Sequence, residues 1–311
     1  MIALKIWSIT TLADGIRGLT LVRPDGRELP SFSPGAHIDL HLGNDLVRQY
    51  SLINEGEGAP TSYQVAIARA PNSRGGSDFI HDHLTEGMEI YASPPRNHFP
   101  LVEDATHYVF IAGGIGITPI YAMARWCAAR GKSWELAYAT RTAERCAFRN
   151  DLRAFSQARL HHDDAENGTL NLAPYCEAPA AGTHLFCCGP QALMTSVKDA
   201  TANWPADSVH FEWFSAPATT SSANEPFEVV LNRSGQRLSV RSDQTLLAAL
   251  REAGVPIASV CAEGVCGTCE TTVIAGEIDH RDQVLTDDEK AAGATMMVCC
   301  SRSRGTLVLD L

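Results

Sequence analysis

The sequence is short of basic residues: 25 Lys and Arg stand against 36 Asp and Glu, giving a net charge of −11. Such a field repels phosphate backbones and anionic membrane surfaces, which argues against nucleic-acid binding. Long apolar runs are also missing. The nearest thing to a membrane span, residues 108–124, is 17 residues without a charge. It contains Gly113, Gly114, Gly116 and Pro119, which mark a buried strand, a tight loop and a helix start rather than a lipid-facing helix. The opening Met1-Ile2-Ala3-Leu4-Lys5-Ile6-Trp7 lacks a basic start, a sustained apolar core and a small-residue cleavage site. There is no internal repeat and no long low-complexity tract. With 45% hydrophobic and 20% charged residues, disorder, collagen and coiled coil are excluded for the chain as a whole. The expectation is a soluble cytoplasmic protein with neither a membrane nor a nucleic acid as partner.

At 311 residues the chain has room for two or three domains, each with its own core. Residues 215–226 include two prolines and no bulky apolar side chain, so they are predicted to form an extended linker. That sets apart a C-terminal domain, residues 227–311. Before it, residues 1–101 show short alternating stretches at 18–22, 36–42 and 63–68, separated by turns rich in Pro, Gly, Asp and Asn. This is the pattern of an antiparallel β-barrel. From 102 to 214 the texture changes to strand–helix alternation. A buried strand at 108–112 is followed by helical spacing at 119–130, with further strands expected at 136–140 and 185–188. A parallel α/β sheet follows from that order.

Ten cysteines in a chain of this kind are expected to be reduced thiols. Cys127, Cys146 and Cys176 are scattered and read as small buried apolar residues. Cys187 and Cys188 are adjacent, and five more fall between Cys261 and Cys300. Cys261, Cys266 and Cys269 have C-x4-C-x2-C spacing, and Cys299 follows after 29 residues. This is the plant-type 2Fe–2S pattern. Gly264 and Gly267 let backbone N–H groups approach the sulfurs. Zinc is the rival, but structural zinc usually uses two separated C-x2-C knuckles. On a strand, Cys299 and Cys300 would face opposite sides, so one of them is a bystander; spacing does not choose between them.

Gly113-Gly114-Ile115-Gly116-Ile117-Thr118-Pro119 lies between the buried strand and the helix. Its glycines allow a pyrophosphate to approach the backbone, where the helix start stabilises negative charge. The same turn also serves tight packing, and it lacks the G-x-G-x-x-G fingerprint. Cys188-Gly189-Pro190 follows a second strand, so its turn is expected at the same edge of the sheet. In the first region, Arg48-Gln49-Tyr50-Ser51 supplies a cation, an aromatic face and a hydroxyl, or is an ordinary amphipathic strand. Arg74-Gly75-Gly76-Ser77 reads equally as a flexible turn or a phosphate-binding loop.

Taken together, Arg48-x-Tyr50-Ser51, Ser73 to Ser77, Pro95-Arg96-Asn97-His98-Phe99, Gly113 to Pro119, Cys188-Gly189-Pro190, His210-Phe211-Glu212-Trp213-Phe214 and the cysteine loop resemble the ferredoxin–NADP reductase superfamily. More closely, with His280-Arg281-Asp282-x-Val284-Leu285 and Val298-Cys299-x-Ser301-Arg302, they resemble the phthalate dioxygenase reductase family, the reductase components of Rieske-type oxygenases. The resemblance spans essentially the whole chain. It implies a flavin-binding β-barrel at 1–101, an NAD-binding α/β domain at 102–214 and a β-grasp, plant-type ferredoxin domain at 227–311.

By position, the resemblance sets Arg48 near the flavin phosphate, with Gly75, Gly76 and Ser77 binding that phosphate. Gln49 falls within the same strand, Tyr50 lies along the ribityl and ring, and Ser51 lies near N5. Gly114, Ile115, Gly116, Ile117, Thr118, Cys188, Gly189 and Pro190 are implied to line the nicotinamide nucleotide site. Arg141, after the strand ending at Thr140, is near the adenosine ribose or is a solvated helix-start charge. Phe214 covers the flavin ring and yields to nicotinamide, and Ser51, Cys188 and Phe214 are the implied catalytic set. Cys299 matches the fourth cluster ligand, beside Cys261, Cys266 and Cys269, while Cys300 falls at a position that is usually apolar. The doubled Cys187-Cys188 leaves open which sulfur faces the nicotinamide.

The ferredoxin module at the C-terminus implies FMN rather than FAD, and NADH is the implied donor. Nicotinamide delivers two electrons as hydride and a 2Fe–2S cluster accepts one, which is why a flavin stands between them. The expected partner is the terminal component of a Rieske-type oxygenase. A haem or diiron monooxygenase, or a non-catalytic iron–sulfur redox sensor, are the alternatives.

Overall fold

A computed structural model of the protein describes residues 1–43, 46–71, 73–216 and 224–311. The centre of the expected linker, residues 217–223, lies outside the described residues. The chain divides into two compact units, Met1–Glu212 and Trp213–Leu311. Among the described residues no helix is long and apolar enough to cross a membrane.

The first unit opens with strands β1 (Ile2–Ala13), β2 (Ile16–Val22), β3 (His37–His41), β4 (Val47–Ser51) and β5 (Ser62–Ala68), then helix α1 (Gly76–His83) and strand β6 (Glu89–Ala92). The six strands form one antiparallel sheet in the order β4-β3-β6-β1-β2-β5. Its two ends meet, because Leu52 bridges Val65 and the Ile53 N–H donates to the Gln64 carbonyl at 3.0 Å. Closure removes the open edges, as in a barrel. Leu4, Ile6, Leu19, Leu21, Ile38, Leu40 and Val65 fill the interior, alternating with polar outward residues.

The same unit continues with β7 (His107–Gly113), a 3₁₀ turn at Gly114–Gly116, α2 (Ile117–Ala129), β8 (Trp134–Thr140), α3 (Arg149–Arg153) and β9 (Ala158–His162). After these come α4 (Asp163–Glu166), α5 (Ala173–Cys176), β10 (Thr183–Cys188), α6 (Gln191–Ala200) and β11 (Val209–Glu212). The five strands are parallel, in the order β11-β10-β7-β8-β9. The three central strands, β7, β8 and β10, are mostly buried because both faces of the sheet are covered there, whereas the edge strands β9 and β11 are more polar and half-exposed. From β7 the chain goes to β8 on one side and returns to β10 on the other, so the order reverses between β7 and β10. A crevice opens at such a point, outside the carboxyl ends of the strands. The apolar core around α2 also takes in Ile16, Ile53, Ala66 and Phe99 from the barrel, so barrel and sheet share one packed interior.

The second unit contains β12 (Phe227–Leu231), β13 (Arg237–Val240), α7 (Leu246–Glu252), β14 (Glu270–Ala275), β15 (Ile278–Asp279), α8 (Asp287–Ala292), β16 (Thr295–Met297), β17 (Arg302–Ser303) and β18 (Leu307–Leu309). Its main sheet runs β13-β12-β18-β14-β16, with β12 parallel to β18, and α7 packs on one face. Thr245 caps α7 by accepting from the Ala248 N–H at 3.1 Å. Thr286 and Glu289 close a capping box on α8. The cysteine-bearing loop spans α7 to β14.

One local expectation is corrected here. Cys299 and Cys300 are not on a strand. β16 ends at Met297, whose carbonyl accepts from the Cys300 N–H at 3.3 Å and the Ser301 N–H at 3.0 Å, curling 298–300 into a turn. The opposite-face argument therefore does not apply to them.

Candidate functional site

Strand β4 places Arg48 and Tyr50 on one face and Gln49 and Ser51 on the other. Arg48 reaches the start of α1. Its Nη2 donates to the Arg74 carbonyl at 2.6 Å and its Nη1 to the Val47 carbonyl at 2.8 Å. The stem lies over Gly76, where a Cβ would come within 2.6 Å of Arg48 Cγ. Gly75 precedes the helix in the left-handed region, φ 86°, a conformation glycine adopts without strain. Ser77 Oγ accepts from the Ala70 N–H and contacts Ser73 Oγ. A guanidinium beside a helix start, whose first N–H groups have no partner within the helix, fits a phosphate.

Tyr50 packs against the barrel core, and burial pushes its hydroxyl well above the ordinary phenol range, so it stays neutral. Ser51 is buried and pairs directly with His37 across the sheet, as Gln49 does with Asp39. Directly opposed residues project to the same face. On that face His37 Nε2, Asp39 Oδ1 and Gln49 Nε2 are sealed from solvent with no hydrogen-bond partner among the described residues. Buried polar atoms are seldom left so, and three together suit a polar ligand. Burial, reinforced by Arg96 and His98, pushes His37 down to about 4 and keeps the imidazole neutral. Arg96 donates to Asp39 Oδ2 at 2.6 Å. Sequence reading missed His37 and Asp39; only the cross-strand register sets them beside Ser51 and Gln49.

At the switch point the ends of β7 and β10 interlock through glycines. A side chain at Gly116 would collide with the Cys188 carbonyl and come within 2.7 Å of the Gly189 nitrogen; one at Gly113 would lie 2.6 Å from Pro190 Cδ. Gly114 differs: its φ is +54° and its Cβ position faces open space. Ile117 and Thr118 turn inward, with Thr118 Oγ1 donating to the Ile115 carbonyl at 3.0 Å. Backbone and glycine are thus what this turn offers a nucleotide.

Cys187 and Cys188 occupy opposite faces of β10. Cys187 Sγ lies 3.6 Å from Met194 Sδ on α6, whereas Cys188 belongs to the core on the α2 side. Burial holds the Cys188 thiol far above its usual range, with Glu212 and Cys187 adding to it. Glu212, in register with Cys188 on β11, is raised by burial to about 8, and its Oε2 is sealed with no partner among the described residues. A neutral carboxyl beside a neutral thiol at the crevice is a second feature that sequence reading did not single out.

Arg141 follows Thr140 at the same sheet edge and is exposed; its carbonyl accepts from the Asp164 N–H at 3.1 Å. Thr140 Oγ1 is 2.8 Å from His162 Nδ1. Phe214 belongs to the second unit and is exposed.

In the second unit the cysteine loop and the turn after β16 come together. The Cys299 thiol is hydrogen-bonded to those of Cys261, Cys269 and Cys300, and Cys261 also to Cys266. The Cys266 thiol, the Cys299 thiol and the Glu263 N–H, the last at 3.3 Å, hold Cys261 far below the ordinary thiol range. Cys266 and Cys299 shift the other way as proton donors to these neighbours. Four cysteine sulfurs gathered this closely suit a metal centre, which takes them as thiolates. A plant-type cluster is held by four cysteine thiolates, and this donor set fits it. The scattered Cys127, Cys146 and Cys176 are buried, and burial raises their thiols to about 12, 11 and 11, as suits inert core residues.

Residues 229–304 match the model of the 2Fe-2S iron-sulfur cluster binding domain, and residues 110–199 that of the oxidoreductase NAD-binding domain. The chain is 42% identical to the vanillate O-demethylase oxidoreductase of Pseudomonas sp. strain HR199, with 100% of both chains covered. It is similar to the solved structure of phthalate dioxygenase reductase, described as modular for electron transfer from pyridine nucleotides to 2Fe-2S. The TM-score is 0.74 and the identity 41%, covering 100% of this chain and 98% of that one. It is also similar to part of an intact type IV self-sufficient cytochrome P450 monooxygenase, with a TM-score of 0.91 and 42% identity. That match covers 100% of this chain and 41% of the longer one.

Proposed function

The chain belongs to the phthalate dioxygenase reductase family, and from that membership we propose that it is an NADH-dependent, FMN-containing reductase. Its electrons go through a 2Fe–2S cluster to the terminal component of a Rieske-type aromatic-ring oxygenase or O-demethylase. The observation that carries this reading is that one chain holds both a nucleotide crevice between β7 and β10 and a three-cysteine loop joined by Cys299. A redox sensor needs no such crevice.

In this proposal residues 1–101 bind the flavin, 102–214 the nucleotide and 227–311 the cluster, with 215–226 as linker, in the cytoplasm. When bound, FMN supplies the conversion between a two-electron hydride donor and a one-electron acceptor. Arg48, with the start of α1 at Gly75, Gly76 and Ser77, binds its phosphate; Gln49 and Tyr50 orient it; Ser51 lies near N5. Gly114, Ile115, Gly116, Ile117 and Thr118, with Cys188, Gly189 and Pro190, receive the nicotinamide end of NADH. Of the two adjacent thiols, Cys188 is the one assigned to it, because Cys187 is turned to α6. Arg141 sits near the adenosine ribose. Phe214 is kept as the ring-covering residue on the family resemblance. Positioning, rather than acid–base chemistry, is what these side chains contribute.

Anaerobic titration of cluster-loaded protein with NADH, then separately NADPH, tests the reading by absorbance and low-temperature EPR. Flavin bleaching together with a reduced 2Fe–2S signal is expected, with NADH the better donor. If neither nucleotide reduces the loaded protein, the sensor reading takes over. Flavin released by heat is expected to co-migrate with FMN; FAD defeats that part.

The likeness to part of a self-sufficient P450 favours a haem monooxygenase as the second candidate acceptor. Reduction rates with a purified Rieske oxygenase and with a P450 haem domain separate the two.

A further inference from the structure

We propose that Cys300 is a reserve ligand, placed to take over an iron of the 2Fe–2S cluster when Cys299 cannot hold it. The inference rests on the reading of Cys261, Cys266, Cys269 and Cys299 as the resident ligands. It starts from a local departure from strand geometry. Had β16 continued, Cys300 would face away from Cys299. Instead the turn over Met297 brings both sulfurs to one side.

Cys300 Sγ occupies the space over Gly264, in the same loop as Cys261 and Cys266, where a Cβ on Gly264 would strike it. Gly264 itself is in the left-handed region, φ +75°, and its carbonyl accepts from the Gln283 N–H at 2.8 Å, so the loop is fixed under that sulfur. The Cys299 thiol touches those of Cys261, Cys269 and Cys300. Five thiols are therefore gathered where four are needed.

The fifth sulfur otherwise packs at the edge of the second unit's core. Its other polar contacts are long: 3.8 Å to the Met297 carbonyl and 3.8 Å to Ser301 Oγ. Cys187, by comparison, is fully buried against Met194 in the manner of a core filler, whereas Cys300 is half-buried. The exchange is redox-neutral. With a cluster bound, the iron–sulfur bond to Cys299 would be replaced by one to Cys300, leaving the number of thiolate ligands unchanged. Thiolate is the ligating form at either position.

The test uses the full chain as Cys299→Ala, Cys300→Ala, Cys299→Ala/Cys300→Ala and Cys261→Ala. Readouts are iron and sulfide content, visible absorbance and EPR of the dithionite-reduced protein, with bound flavin reporting that the first unit is folded. Cys300→Ala is expected to keep the parent spectrum. Cys299→Ala is expected to retain a 2Fe–2S signal with shifted g-values, and the double variant to lose it. If Cys299→Ala loses the cluster as fully as the double variant, Cys300 is a filler and the proposal fails while the ligand reading stands. If Cys300→Ala alone loses it, the reserve role is overturned because Cys300 is obligatory. If Cys261→Ala keeps the parent spectrum, the ligand reading itself fails.

Discussion

Arg48 and Gly76 are in van der Waals contact across two elements: the arginine stem fills the space where a side chain on the glycine would stand, 2.6 Å from Cγ. The strand that carries Tyr50 and Ser51 is thereby tied to the helix start that follows Gly75. One consequence is measurable. Arg48→Ala removes a charged partner of a phosphate, worth about 1.5–3 kcal/mol, or roughly 10- to 150-fold in Kd. FMN retention on gel filtration and fluorescence titration give the number. An Arg48→Ala protein that binds FMN as tightly as the parent sinks the assignment.

The interlock of Gly116 with the Cys188 carbonyl predicts a packing cost. Gly116→Ala has no room, and overpacking of this kind costs about 1–3 kcal/mol. The variant is expected to unfold at a lower temperature and to be reduced more slowly by NADH. Photoreduction of its flavin is expected to stay normal. Parent-like NADH kinetics and melting would show that the two strand ends yield easily.

Glu212 predicts a pH dependence of stability. Burial raises its carboxyl from an ordinary 4.5 to about 8. Between those values the folded chain holds a proton that the unfolded chain has lost. Stability therefore falls as pH rises through this window and levels off above it. Glu212→Gln removes the fall. Relative to the parent it is expected to gain stability at pH 9, of order 2 kcal/mol, and to gain far less at pH 5. Thermal denaturation at the two pH values decides; an equal effect at both refutes the shifted carboxyl.

Residues 227–311 hold 12 acidic and 8 basic residues, a net −4, before the charge of a thiolate-bound cluster is added. Docking on a basic oxygenase surface then makes electron transfer slow as salt rises, since the Debye length is about 10 Å at 0.1 M. Stopped-flow reduction of the oxygenase across a salt series tests this. A rate that is flat in salt excludes electrostatic docking.

Much of the chemistry was legible along the chain because it is local. Cys261, Cys266 and Cys269 lie within nine residues, so one loop brings them together whatever surrounds it. The strand–glycine–helix order around Gly113 to Pro119 is equally local, and β7, the turn and α2 follow it within two residues. The barrel, parallel-sheet and ferredoxin-type classes followed from periodicity, glycine turns and that cysteine spacing, joined to the family resemblance.

What stayed hidden depends on pairing between distant segments. The orders β4-β3-β6-β1-β2-β5 and β11-β10-β7-β8-β9 come from which strands bury each other's apolar faces, a property of the assembled core. That pairing sets His37 opposite Ser51 and Glu212 beside Cys188. Packing against Met194 separates Cys187 from Cys188, and two hydrogen bonds to the Met297 carbonyl turn Cys300 toward Cys299. The chain by itself determined which chemical groups are present and how closely they are strung together. Which of them face one another was decided only when long-range burial and hydrogen bonding chose a partner for every strand.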